Sequence, residues 1–145
     1  MDSDAAHKSG GHCSVRVYYE DTDCGNVVYY AKYLGYMERG RTELMRENAI
    51  HLAEFHRAGC LFIVSEAHVK YHSSARYDDL LDVHTIVSEV SAASLRFVSR
   101  ISKADGTVLV TGEVRLACVN IHGEIQRIPE KIVSKLTAIK KADFN

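Results

Sequence analysis

Hydrophobic and polar positions in the first third of the chain predict a strand followed by one long helix. From Cys13 to Glu20 apolar and polar side chains alternate, which is the pattern of a half-buried strand. After a short acidic turn, apolar residues recur at helical spacing. They are Tyr33, Leu34, Met37, Leu44 and Met45. Gly35 and Gly40 lie inside this helix, where each costs about 1 kcal/mol relative to alanine, so we expect close packing against a sheet to compensate.

The middle of the chain predicts a short helix and then four long strands. Residues 49–58 have helical spacing, which Gly59 ends. Alternating apolar positions then predict strands over 61–71, 81–87, 95–101 and 108–118. Asp105-Gly106 is a hairpin turn between two of these strands, and a second bend lies at 120–124. Long consecutive strands of this kind form an antiparallel sheet.

A closing helix follows Pro129. Residues 130–141 have helical spacing. The residues expected to face inward are Ile132, Val133, Leu136 and Ile139. The whole order predicts an α+β fold in which the early long helix fills the concave face of the sheet.

Composition indicates one soluble domain. The chain has 145 residues, 46% of them hydrophobic, and a net charge of -1. With 18 basic and 19 acidic side chains, no bias toward nucleic acid or anionic membrane exists. We expect residues 1–12 to be a flexible tail and 13–145 to be a single domain. The polar N-terminus does not resemble a signal peptide, and no apolar run could span a bilayer, so we expect a cytoplasmic location.

Cysteine and histidine spacing gives no support to a metal or redox site. The four cysteines, at positions 13, 24, 60 and 118, contain no C-x-x-C and are expected to be reduced thiols. His51 and His56 are five residues apart, which is off the same-face spacing of a helix. No metal and no organic cofactor is therefore expected.

The acidic turn before the long helix carries the candidate chemistry. Asp21, Thr22 and Asp23 precede the helix start, where unpaired N–H groups point outward. A carboxylate there can attack a carbonyl, or activate a water that does, while N–H groups hold the developing oxyanion. The alternative is that these residues are ordinary turn and N-cap residues.

The run VYYEDTDCGNVVYYAKYLGYMERGRTELM, which starts at Val17, resembles the signature of the 4-hydroxybenzoyl-CoA thioesterase family, and most closely its YbgC-like acyl-CoA thioesterase branch. The resemblance extends through YHSSARYDDLLDVHT, SLRFVSRI and GEIQRIP. It implies a hotdog fold, in which a curved antiparallel sheet wraps a long central helix, and dimers that pair into tetramers. The predicted element order agrees with that fold.

The resemblance also implies roles for individual residues. Asp23 matches the catalytic carboxylate, as nucleophile or general base, and Tyr30 matches the position whose backbone N–H polarises the thioester carbonyl. Tyr19 matches an aromatic residue beside the catalytic Asp. The chain departs from its branch at Tyr30, because those proteins usually have His there. The backbone N–H survives that change, whereas any role of the imidazole does not.

Residues for binding of CoA are implied near Ser94, Leu95 and Arg127. Some relatives carry basic residues just before the position of Ser94, where this chain has Ala92 and Ala93. Phosphate recognition is therefore expected to differ, and Arg127 is either a phosphate contact or a solvated surface charge. The family's paired aspartates at 78 and 79 are interpreted as a turn.

The leading hypothesis is a thioesterase that hydrolyses acyl-CoA, with a short aliphatic or an aromatic acyl group, to a carboxylate and CoA. One alternative is a hotdog dehydratase, which the absence of a histidine near Tyr30 disfavours. The other is a non-catalytic protein that binds acyl-CoA or an acyl carrier protein, or an adaptor of a cell-envelope complex. A homo-oligomer is expected in each case, and the sequence does not specify the acyl group.

Overall fold

The computed structural model describes residues 10–144, and there five strands form one antiparallel sheet. The strands are β1 His12–Arg16, β2 Leu61–Tyr71, β3 Leu80–Val90, β4 Ser94–Lys103 and β5 Val108–Val119. Their order across the sheet is β1-β3-β4-β5-β2, so β1 and β2 are the edges. The helices are α1 Lys32–Glu47, α2 Leu52–Arg57 and α3 Glu130–Ile139. The predicted α+β class and the antiparallel sheet are confirmed.

Helix α1 packs directly on the sheet at Gly40. A Cβ atom at this position would lie 2.5 Å from Thr85 Oγ1 and 2.8 Å from Val83 Cγ1, both on β3. At Gly35 a Cβ would meet nothing within 4 Å. The expected close packing is therefore confirmed at Gly40 and wrong at Gly35. Leu34, expected to face inward, is 40% exposed.

The core divides into two clusters along α1. The N-terminal half of α1 packs with β1 and the sheet centre through Tyr33, Met37 and Val83. The C-terminal half packs with α3, where Ile132 and Leu136 are fully buried as predicted. The loop before α1, which carries the predicted site residues, therefore adjoins a well-packed core.

Several boundaries differ from the predicted ones. Strand β1 ends at Arg16 rather than Glu20, because the following residues turn into a short 3-10 helix over Tyr19–Asp21. Helix α2 has six residues instead of ten. Of the expected flexible tail, residues 1–9 lie outside the described part. Residues 10–12 are anchored, since the N–H groups of Gly10 and Gly11 donate to the Glu47 carboxylate at 2.9 and 3.0 Å, and β1 begins at residue 12.

The predicted turns are confirmed. Gly106, with φ 91°, donates its N–H to the Lys103 carbonyl at 2.9 Å between β4 and β5. The bend at 120–124 closes through the Asn120 N–H and the Glu124 carbonyl at 2.9 Å. The aspartates at 78 and 79 lie in the turn before β3, as interpreted. None of the helices between residues 10 and 144 has the length and apolarity needed to cross a membrane.

Candidate active site

One buried aspartate holds both ends of the loop between β1 and α1. Asp21 is 9% exposed, and its Oδ2 accepts a hydrogen bond from the Tyr18 N–H at 2.9 Å. Its main-chain carbonyl accepts the Tyr29 N–H at 2.9 Å. Lys32 Nζ, in the first turn of α1, lies 3.5 Å from Asp21 Oδ1. Asp21 thereby connects the end of β1 to the start of α1.

The middle of this loop is a small hairpin that presents Asp23. An antiparallel bridge joins Thr22 to Val28. The Asp23 N–H donates to the Val27 carbonyl at 2.9 Å, and the Asn26 N–H donates to the Asp23 carbonyl at 3.0 Å. Asn26 has φ 65°, in the left-handed region that asparagine tolerates. Main-chain hydrogen bonds therefore fix the position of Asp23.

The Asp23 carboxylate is exposed, and one of its two oxygens is hydrogen-bonded. Its Oδ1 accepts the Gly25 N–H at 2.8 Å, as in an Asx-turn. A Cβ on Gly25 would lie 3.2 Å from this oxygen, so position 25 has little spare room. No donor within residues 10–144 pairs with Oδ2. One oxygen thus fixes the orientation of the carboxylate, and the other is left for chemistry.

The main-chain N–H of Tyr30 has no acceptor among the residues that the structure describes. Tyr30 was expected at the helix start, but α1 begins at Lys32, so Tyr30 lies two residues before the first helical turn. The Tyr71 hydroxyl donates to the Tyr30 carbonyl at 3.0 Å and holds the main chain here. A fixed, unpaired N–H on the same loop as a carboxylate is a candidate oxyanion donor.

Exposed tyrosines cluster at Tyr30. The ring centroids of Tyr29 and Tyr30 are 4.9 Å apart, and those of Tyr30 and Tyr71 are 6.2 Å apart at 77°. The Tyr30 hydroxyl is the largest cause of a raised pKa of Tyr29, and the Asp23 carboxylate acts in the same direction. Tyr29 therefore keeps its proton at neutral pH and serves only as a hydrogen-bond donor or acceptor.

Tyr19 shares the loop with Asp23, but its ring faces another partner. It is 79% exposed in the 3-10 turn, and its ring meets Tyr77 edge-on with centroids 6.2 Å apart. The Thr22 hydroxyl donates to the Tyr19 carbonyl at 2.7 Å. Its predicted place beside the catalytic carboxylate stays a prediction.

Two supporting residues were not recognised from the sequence as more than turn and helix residues. Asp21 is the loop anchor, and Tyr36 packs beneath it with a buried hydroxyl that has no hydrogen-bond partner in the described part of the chain. Burial, and next the nearby Asp21 carboxylate, raise the pKa of Tyr36. The spacing of Asp21 and Asp23 could have indicated the supporting role of Asp21. Residues two apart in a tight turn can face different surroundings, one buried and one in solvent.

The residues predicted to bind CoA come together on adjacent segments. Ser94 is buried at the start of β4, and Arg127 is exposed without an ion-pair partner among residues 10–144. The Ala92 carbonyl accepts the Ile128 N–H at 2.8 Å, which joins the two segments. Leu95 is 1% exposed in the core, so it can contribute only its main chain to a binding surface.

This second group lies far from Asp23 within one chain. Gln126 Nε2 donates to the Gly59 carbonyl at 3.2 Å, beside the start of β2, whereas Tyr30 contacts Tyr71 at the end of β2. Ten residue steps of about 3.3 Å put the two ends of this strand about 33 Å apart. The two halves of the predicted site therefore occupy opposite ends of an edge strand.

Histidines and cysteines of the described residues do not gather into a ligand set. No group of three or more His, Cys, Asp and Glu side chains within residues 10–144 could hold a metal ion. His68 contacts Glu66 at 3.1 Å, and His72 contacts the Thr111 hydroxyl at 3.0 Å.

Comparison with known proteins identifies the family of this chain. Residues 17–136 match the model of the thioesterase-like superfamily. The chain is 38% identical over 122 residues to the acyl-CoA thioester hydrolase YbgC of Escherichia coli O6:H1, covering 83% of this chain and 91% of that protein. It is 42% identical over 108 residues to the acyl-CoA thioesterase YbgC of Haemophilus influenzae, covering 74% and 79%.

A solved structure shares the whole architecture. The crystal structure of a hypothetical protein from Thermus thermophilus superposes with a TM-score of 0.83 at 28% identity, covering 88% of this chain and 98% of that one. The predicted hotdog fold, with its antiparallel sheet around a central helix, is confirmed. The chain belongs to the thioesterase-like superfamily and, within it, to the YbgC-like branch.

Proposed function

We propose that this protein hydrolyses acyl-CoA thioesters to a carboxylate and free CoA, using Asp23 and the main-chain N–H of Tyr30. The observation that carries the proposal is their place on one loop. Among residues 10–144, one Asp23 oxygen has no donor and the Tyr30 N–H has no acceptor, and Asp21 holds their loop at both ends. The names of the YbgC relatives support the same reaction class.

In the proposed reaction, Asp23 Oδ2 attacks the thioester carbonyl carbon or removes a proton from an attacking water. The negative charge that develops on the carbonyl oxygen is stabilised by the Tyr30 N–H. The C–S bond then breaks, and the CoA thiolate leaves without a strong need for acid assistance. If Asp23 attacks directly, water hydrolyses the resulting anhydride in a second step.

The phenol of Tyr30 has a supporting role in this proposal. A neutral phenol is a poor base near pH 7. It can donate a hydrogen bond to the substrate, as can the neighbouring Tyr29. The base or nucleophile is therefore Asp23 alone.

We further propose that the working unit is a homodimer in which two β2 edges pair. This strand has 11 residues and is exposed along most of its length, including Ile63 at 48%, Val64 at 52% and Tyr71 at 47%. A long exposed edge strand of this kind is a template for pairing with another strand. A dimer of dimers, as in the family resemblance, and a cytoplasmic location belong to the same proposal.

Antiparallel pairing of two β2 strands would complete the site. A two-fold axis brings the Tyr71 end of one strand to the Leu61 end of its partner. Asp23 of one protomer would then lie near the Arg127 segment of the other, whereas within one chain the two groups lie toward opposite ends of β2, a strand about 33 Å long. This arrangement explains how acyl hydrolysis and nucleotide binding use both ends of β2.

The reaction is tested by thiol release from a panel of acyl-CoAs, from short and long aliphatic to hydroxybenzoyl and phenylacetyl. We expect turnover by wild type and a loss of about 100-fold or more in kcat for Asp23→Asn. Asp105→Asn is the matched control, because the Asp105 carboxylate accepts the Thr107 N–H at 2.9 Å in the same local geometry outside the site. Near-normal kcat in Asp23→Asn would refute the mechanism.

The shared site is tested by subunit complementation. Asp23→Asn and Arg127→Ala protomers are each expected to be weak, and a refolded equimolar mixture should recover about a quarter of wild-type activity, since half of the dimers then carry one intact site. Val64→Lys should shift the protein toward monomer in light scattering. Absence of recovery in a mixture shown to contain heterodimers would refute the shared site.

An inactive but folded oligomer would favour the alternatives. Absence of turnover on every acyl-CoA would direct attention to a thioester of an acyl carrier protein, or to a non-catalytic binding or cell-envelope adaptor role.

A further inference from the structure

A pair of buried thiols lies outside the proposed catalytic machinery. Cys60 directly precedes β2 and is 3% exposed, and Cys118 near the end of β5 is 0% exposed. Their Sγ atoms are 3.3 Å apart, and both are free thiols. Cys60 leads into β2 and Cys118 lies in the neighbouring β5, so a bond between them would cross-link the start of β2 to β5.

The pair is attached to the segment that carries Arg127. The Cys118 thiol donates to the Arg127 carbonyl at 3.7 Å, and the Gln126 N–H donates to the Cys118 carbonyl at 3.0 Å. On the other side, Gln126 Nε2 donates to the carbonyl of Gly59, which precedes Cys60. Residues 126–128 are therefore hydrogen-bonded on both sides of the cysteine pair, so a movement of either cysteine moves this segment.

We propose that Cys60 and Cys118 form a reversible disulfide whose formation displaces residues 126–128. To bond, the two sulfurs must close from 3.3 Å to about 2.05 Å. The Cys118 thiol proton is lost, and with it the hydrogen bond to the Arg127 carbonyl. A consequence for affinity toward acyl-CoA follows as well, and that consequence alone rests on the proposed function.

A peroxide supplies the oxidation. The thiolate of one cysteine attacks a peroxide oxygen, which breaks the O–O bond and gives a sulfenic acid and, with a proton, an alcohol or water. The second thiol attacks the sulfenic sulfur, the S–S bond forms and water leaves. The two sulfurs lose two electrons in total, and the peroxide gains them. A small dithiol reverses the step by thiol–disulfide exchange.

We expect helix α2 to be the route of access. It contains no buried residue, and it joins the pair through the Cys60 N–H, which donates to the Phe55 carbonyl at 2.8 Å. Burial, with the neighbouring Cys118 thiol, raises the pKa of Cys60 to about 12, so thiolate is scarce while the site is closed. Oxidation therefore proceeds through local opening of α2 and is slower than that of the exposed Cys24.

The test treats the full-length Cys24→Ser protein with hydrogen peroxide, blocks remaining thiols and maps peptides without reduction. We expect a Cys60–Cys118 linked peptide, lighter by about 2 Da than the two thiol peptides together, that dithiothreitol removes. Cys118→Ser and, separately, Cys60→Ala in the same background should give none.

Hydrogen exchange reports the displacement independently of activity. The amides of Gln126 and Ile128, which donate at 3.0 and 2.8 Å in the reduced protein, should exchange about tenfold faster after oxidation. The KM for the best acyl-CoA should rise several-fold and return on reduction.

Each outcome separates the two proposals. Oxidation of Cys24 in wild type without any Cys60–Cys118 peptide would overturn the disulfide, and a linked peptide with unchanged exchange at 126 and 128 would overturn the displacement. A reduced protein that is inert on every acyl-CoA would refute the proposed hydrolysis, while the peptide map and the exchange data would still decide this inference.

Discussion

Two glycines of α1 offer a matched test of how this helix is seated on the sheet. Gly40 and Gly35 lie in the same helix, and neither has a positive φ. Alanine at either position improves helix propensity by about 1 kcal/mol. The two sites differ only in what the added methyl group meets, so Gly40→Ala and Gly35→Ala should change stability in opposite directions.

The magnitude at Gly40 follows from its neighbours. The added Cβ would lie 2.5 Å from Thr85 Oγ1 and 2.8 Å from Val83 Cγ1. Overpacking of this kind costs about 1–3 kcal/mol. Thr85 Oγ1 also lies 3.0 Å from Ser99 Oγ in a buried hydrogen bond, and its displacement costs about 1–3 kcal/mol more. After the propensity gain of about 1 kcal/mol, we expect Gly40→Ala to lose about 1–5 kcal/mol.

Urea denaturation measures both changes. With a slope of about 2 kcal/mol per M, the midpoint of Gly40→Ala should fall by about 0.5 M or more. Gly35→Ala meets open space and should raise the midpoint by about 0.5 M. If Gly40→Ala were neutral or stabilising at an unchanged slope, the close contact of α1 with β3 would be refuted.

Three further changes address the loop and the pH response. Asp21→Ala removes the acceptor of the Tyr18 N–H and should lower kcat about tenfold or more with little change in KM, whereas Asp21→Asn keeps an acceptor oxygen and should lose less. Tyr71→Phe loses the 3.0 Å hydrogen bond to the Tyr30 carbonyl and should cost about 1 kcal/mol in urea denaturation; no change would show that this bond does not hold the loop. Burial lowers the pKa of His84 below 6.5, so the unfolded chain binds protons more readily and stability should fall as pH drops below 6.5. His84→Gln should flatten that slope in melts between pH 5 and 7.

Most of the fold was predictable because it depends on periodic burial. The strands β2 to β5 and the helix α3 follow their alternating or helical patterns to within a few residues. The end of β1 was not predictable. The Asp21 side chain accepts a hydrogen bond from the Tyr18 N–H, and the chain turns out of the sheet there. A single contact between a side chain and the main chain produces no periodic pattern in the sequence, so the sequence does not reveal it. The same holds for Gly40 of α1, whose neighbours Val83 and Thr85 come from a strand over 40 residues away.

The residues of the candidate site stay a prediction from the sequence, and their geometry could not be predicted. Asp23 and Tyr30 share a loop that the resemblance to the family marks clearly. What holds residue 30 in place is Tyr71, which is 41 positions away in the chain. The separation of Arg127 from Asp23 depends on which strand lies at the sheet edge, and that order is a property of the assembled sheet.

The oxyanion donor proposed here belongs to the main chain, and this has a consequence for how the site tolerates change. A main-chain N–H is encoded by every residue type except proline, so substitutions at position 30 can alter the surroundings of the substrate without deleting the donor. The hydrogen bonds that place the loop are also largely between main-chain groups, such as the Asp23 N–H with Val27 and the Tyr29 N–H with Asp21. Tyrosine in place of the usual histidine is one such variation. Position 30 is therefore the place to diversify in a library that seeks new acyl preferences, with Asp21 and Asp23 left unchanged.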